Sequence, residues 1–116
     1  MERFLSDQEM ARLGKALNTF VKKYPVHVLA IEFTLMTGCR RSEVTDLTWN
    51  AVRSDRLNLA DSKTGPKQVW IGTEARQLLD LLPRGNPQDR VFRNPTSLRP
   101  VTLERIWILV REEAGL

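Results

Sequence analysis

Leu35-Met36-Thr37-Gly38-Cys39-Arg40-Arg41-Ser42-Glu43-Val44-Thr45-Asp46-Leu47-Thr48-Trp49 decides how the rest of the chain is read. Gly38 follows an apolar helical run and marks its stop, because glycine is the usual residue where a helix ends in a left-handed conformation. Ser42 is a preferred N-cap and is expected to open the next helix. Arg40 and Arg41 sit at the junction, near free backbone N–H groups and the positive end of a helix. That arrangement attracts an anion, most often a phosphate.

Upstream, Ser6-Asp7-Gln8-Glu9 reads as a capping box, with Leu5 and Met10 placed for the hydrophobic staple. Met10, Leu13, Leu17, Phe20, Val21 and Tyr24 recur at helical spacing, so a first amphipathic helix is expected over 7–24. Pro25 suits the first turn of a second helix. Val26 to Met36 is apolar nearly all round, the pattern of a central buried helix.

Downstream, Val44 and Leu47 face inward from a short third helix, and Trp49 closes the core beneath it. Leu57 and Leu59 alternate with Arg56 and Asn58, and Val69 and Ile71 alternate about Trp70. The turn-rich stretch Asp61-Ser62-Lys63-Thr64-Gly65-Pro66 lies between them, giving two short antiparallel strands. Thr73 is the expected cap of a fourth helix carrying Leu78, Leu79, Leu81 and Leu82. Val91-Phe92 is the candidate for a third short strand. Thr102 is the expected cap of a last helix stopped at Ala114-Gly115. Trp49, Trp70 and Trp107 are read as core or half-buried. The fold class is α+β, mainly helical, with a small antiparallel sheet of two or three strands.

The 116 residues suit one domain with a modest core, and the net charge of +4 permits a nucleic-acid partner without establishing one. Cys39 is the only cysteine and His27 the only histidine, so a disulfide and a zinc cluster are both excluded. Cys39 itself is read as a packing residue. No metal and no other cofactor is expected. The sequence has neither a transmembrane run nor a signal-peptide core, so a cytoplasmic protein is expected, with no membrane partner and no small-molecule substrate.

Three polar features stand apart from the packing pattern: Arg40 with Arg41, Glu43 just inside the third helix, and Lys63 at the hairpin tip. A rigidly held arginine suits recognition of a phosphodiester, and a lysine on a loop suits delivery of a proton or a point charge. Together, Thr37-Gly38-Cys39-Arg40-Arg41-Ser42-Glu43-Val44, then Leu47 and Trp49, then Ser62-Lys63-Thr64-Gly65, resemble the tyrosine recombinase (phage integrase) family. Phe4-Leu5-Ser6-Asp7-Gln8-Glu9 resembles the opening of that family's catalytic domain, and the likeness extends over nearly the whole chain.

The resemblance implies a truncated tyrosine recombinase catalytic-domain fold and double-stranded DNA as partner, with self-assembly of the full-length protein on DNA. It implies site-specific DNA recombination or integration through a 3′-phosphotyrosyl intermediate. Arg40 would be the first catalytic arginine, Glu43 its supporting acid and Lys63 the general acid toward the leaving 5′-oxygen. Arg40, Arg41, Lys63, Thr64 and Lys67 would line the DNA. The family's His-x-x-Arg box and late tyrosine find no match. His27 is followed at that spacing by Ala30, and Tyr24, the sole tyrosine, precedes Arg40. Residues 1–116 are therefore expected to be a partial catalytic domain, lacking the core-binding domain and the nucleophile segment, inactive alone. The competing expectation is a non-catalytic helix-turn-helix module in which Thr45, Thr48 or Asn50 reads bases.

Overall fold

In the computed structural model, residues 6–59, 65–94, 97, 99 and 101–116 are described. Lys63 and Thr64, on which two expected roles fall, lie outside them, as does Leu5.

Helix α1 (Asp7–Phe20) starts where the sequence places it. The Ser6 hydroxyl accepts from Glu9 N–H at 3.1 Å, and Glu9 Oε1 accepts from Ser6 N–H at 3.0 Å, completing the capping box. Leu13, Ala16 and Leu17 are buried. Met10 is exposed instead of joining that stripe. The helix ends before Tyr24 because proline disfavours helical backbone in the residue that precedes it. Tyr24, at φ −131° and ψ 62°, becomes the N-cap of α2 (Pro25–Thr37).

Val28, Ala30, Ile31 and Phe33 of α2 are buried, and the helix contacts α1, α3 and α4, so it is the central element. Its C-terminal end departs from the all-buried expectation, since Leu35 and Met36 are exposed. Gly38 closes it at φ 71°, its N–H bonded to Thr34 O at 3.0 Å. Glycine adopts that left-handed conformation without a Cβ penalty.

Helix α3 (Arg41–Thr45) starts two residues earlier than Ser42 as N-cap would have set it, with Arg40 in that place. Ser42 is already helical, and the capping is done by Glu43 reaching back to the Arg40 N–H. A single 3₁₀ turn at Trp49–Ala51 then buries Trp49. Strands β1 (Arg56–Leu59) and β2 (Lys67–Trp70) pair antiparallel, Arg56 opposite Trp70 and Leu59 opposite Lys67. Trp70 is 64% exposed, against expectation. Alternation gives the core-facing side to Leu57, Leu59 and Val69, which leaves Trp70 outside with the Arg56 guanidinium 4.9 Å from its ring.

Thr73 and Thr102 do not cap. Gly72, in extended backbone, is the N-cap of α4 (Thr73–Asp80), and the buried Leu103, in helical backbone, is that of α5 (Glu104–Ala114). Leu78, Leu79 and Leu82 are buried as expected, but Leu81 is 71% exposed. Among the described residues the sheet has two strands. Val91 and Phe92 are buried without forming a third. Val91 N–H bonds Leu47 O at 2.9 Å and Thr48 bridges Arg90 antiparallel, which puts Phe92 opposite Asp46, the helical C-cap of α3, so no strand partner continues there. Helix α5 packs on α1 and stops at Gly115, φ 72°, as the sequence indicates. The rings of Phe33 and Phe92, centroids 5.4 Å apart, meet in the middle of the core. No helix among the described residues is long and apolar enough to cross a membrane.

Candidate functional site

The turn between α2 and α3 is held one backbone N–H at a time. Gly38 N–H goes to Thr34 O, Cys39 N–H to the Thr37 hydroxyl at 3.3 Å, and Arg40 N–H to Glu43 Oε1 at 2.8 Å. Cys39 is buried, and burial pushes its thiol above the usual range, which keeps it protonated and inert. The Arg40 side chain is exposed and makes no hydrogen bond or ion pair with the described residues. A guanidinium on an anchored backbone with open donors is suited to a planar oxyanion such as a phosphodiester. Arg41, the first residue of α3, is exposed beside it.

Glu43 carries the geometry. Its side chain is only 7% exposed, and its second oxygen, Oε2, lies 2.8 Å from Lys67 Nζ. Burial alone would raise this carboxyl, but the Lys67 ammonium and the Arg40 N–H outweigh it and hold Glu43 below the usual carboxylate range. One carboxylate thus ties the arginine turn to strand β2.

A folded-state value below the unfolded one adds stability that is present above the unfolded pKa. That stability is lost as pH falls through the folded pKa. Glu43→Gln is therefore expected to lose about 1–3 kcal/mol at pH 7, the lower part of the range for a disrupted buried pair because Lys67 is partly exposed. The gap to the parent should close below about pH 4. Chemical denaturation of both proteins across pH 3–8 checks it, and a gap independent of pH would contradict the assignment.

Sequence reading places Lys67 on the DNA side, whereas its ammonium is engaged by Glu43. The signal was there in the alternation: Val69 faces inward, so Lys67, two residues back, shares its face. Arg90 was not foreseen. Its Nη1 donates to Thr45 O at 3.1 Å and Asp46 Oδ1 at 3.0 Å, holding the last turn of α3. No local pattern signals a contact across so much chain.

His27 is half-buried edge-on to Tyr24, with centroids 5.7 Å apart, and burial lowers its imidazole below the usual value. Both lie on the α1–α2 corner as packing residues. The residues proposed to read bases have little freedom. Helix α3 has five residues, the Thr45 hydroxyl donates to Ser42 O, and Thr48 is half-buried against Arg90, leaving Asn50 exposed. Among the described residues no group of acidic, histidine or cysteine side chains is placed to hold a metal ion.

Neither a family model nor a curated protein sequence matches the chain. A solved structure does. XerA recombinase superposes on it with a TM-score of 0.66 at 22% identity. The match covers 100% of this chain and 44% of the XerA chain, so this chain spans less than half the length of that protein. With five helices among the described residues, the apolar α2 central to them, and a hairpin, the chain has the fold of the corresponding part of XerA recombinase.

Proposed function

We propose that the chain is the first part of a tyrosine-recombinase strand-transfer domain, binding the backbone of double-stranded DNA through Arg40. The observation that carries this is the exposed Arg40 guanidinium on a turn anchored by the buried carboxylate of Glu43. The recombinase fold and the Thr37-to-Val44 motif support the same reading.

In this reading Arg40 donates to a non-bridging oxygen of the scissile phosphate and offsets the charge that builds there in the transition state. Glu43 fixes where Arg40 starts from. Lys63 donates its proton to the 5′-oxygen as the bond from phosphorus to that oxygen breaks. Arg41 and Thr64 would flank the phosphate. The attacking hydroxyl must come from a tyrosine other than Tyr24, which is half-buried in the α1–α2 corner. Alone, the chain binds without cleaving, and assembly on DNA belongs to the longer protein.

Fluorescence anisotropy with labelled duplexes over a salt series tests the binding. Affinity should fall linearly on a log–log plot against salt, with little preference between unrelated sequences. Absence of binding at about 50 mM salt, or binding indifferent to salt, would sink the reading.

A further inference from the structure

We propose that Lys67 is a positioning residue that keeps Arg40 available for phosphate by occupying Glu43, and that it does not itself touch DNA. The proposal rests on the reading of Arg40 as the phosphate contact.

The hairpin register places Lys67 opposite Leu59, on the side shared with the buried Leu57 and with Val69; Gln68 and Trp70 face outward. From there its ammonium reaches inward to Glu43 Oε2 at 2.8 Å. The other oxygen of that carboxylate is taken by the Arg40 backbone N–H, also at 2.8 Å. One oxygen is thus hydrogen-bonded by backbone and the other is ion-paired with Lys67. Among the described residues, the other cation whose charge acts on Glu43 is the guanidinium of Arg40 itself. Remove Lys67, and a buried carboxylate is left without its ion-pair partner beside the one group meant for DNA. Glu43 then competes with phosphate for Arg40. A lysine that follows the Lys63 turn looks from sequence like one more contact to the DNA backbone. Its inward face and its pairing argue that it works one step back.

The test uses the 116-residue chain as it stands, with Lys67→Met, Lys67→Arg, Glu43→Gln and the double variant Glu43→Gln/Lys67→Met. Duplex binding is measured across salt, together with amide hydrogen exchange at Arg40. The expected result is that Lys67→Met weakens binding about three- to tenfold with the salt slope unchanged, and that Lys67→Arg restores it. In the Glu43→Gln background the same change should alter affinity by less than about twofold. If Lys67 contacts phosphate directly, the slope falls by about 0.9 and the loss is the same in both backgrounds; that pair of results overturns the proposal.

Exchange at the Arg40 N–H needs no DNA. It should quicken in Lys67→Met and stay at the parent rate in Lys67→Arg, and an unchanged rate in Lys67→Met overturns the link from Lys67 through Glu43 to Arg40. Should the parent chain bind no DNA at any salt, the phosphate reading of Arg40 fails, and with it the claim that Lys67 serves DNA binding. The exchange arm would still decide whether Lys67 holds the turn.

Discussion

Arg40→Ala slows strand transfer by about 10²- to 10³-fold in a full-length recombinase that carries this chain, the usual loss when one preorganised donor to a developing oxyanion is removed. The same substitution leaves folding stability within about 0.5 kcal/mol, because the side chain is exposed and makes no hydrogen bond or ion pair with the described residues. That separation is the point of the experiment. A residue that merely caps α3 would change stability, and its effect on transfer would follow from unfolding. The cap at this site is the Arg40 backbone N–H, which alanine retains.

Arg40→Lys should recover only part of the rate, since an ammonium keeps the charge but not the planar pair of donors. Single-turnover cleavage of a suicide duplex, with thermal unfolding alongside, gives both readouts. Transfer at the parent rate by Arg40→Ala would remove Arg40 from the chemistry.

Phe33→Ala has the largest expected effect on the fold. Phe33 is fully buried in α2, and its ring meets the equally buried Phe92 at a 51° tilt. Truncating a buried phenylalanine costs about 3–5 kcal/mol, from lost transfer energy plus the cavity left behind. A domain of this size has roughly 5–15 kcal/mol in total, so the variant should be marginal at room temperature. Urea denaturation should show a lower midpoint with the slope little changed. A loss under about 1 kcal/mol would mean that the region around Phe92 repacks freely, and that α2 is not the element on which the domain is built. Phe33 lies four residues before Thr37, whose hydroxyl bonds back to Phe33 O at 2.8 Å, so the core contact and the arginine turn share one helix end.

Much of this was legible in the chain itself because the signals are local. Ser6 with Glu9, Pro25, Gly38 and Gly115 each bring a physical constraint that acts within one turn of helix, and each appears where its chemistry puts it. The hairpin follows from alternation and a turn-rich connection. The failures have a common cause. Ser42, Thr73 and Thr102 are good capping residues in isolation, but a neighbour took the position: Arg40 with its N–H held by Glu43, Gly72 in extended backbone, and Leu103 buried in the core. Tyr24 was assigned to α1 by its spacing and left it because of Pro25. Val91 and Phe92 have strand composition, yet the residues opposite them, Leu47 and Asp46, belong to the end of α3 and not to a strand.

The sequence by itself determined the central apolar helix, its stop at Gly38, the hairpin, and the choice of Arg40 and Glu43 as the polar residues to watch. These rest on periodicity and on backbone preferences that need no distant partner. Only the tertiary structure decided how Glu43 works. The carboxylate is buried, its two oxygens are divided between the Arg40 N–H and Lys67, and that division is set by how β2 packs against the start of α3. A pairing between a helix end and a strand depends on the fold closing around both, which is why the link from Lys67 to Glu43 cannot be read from the chain alone.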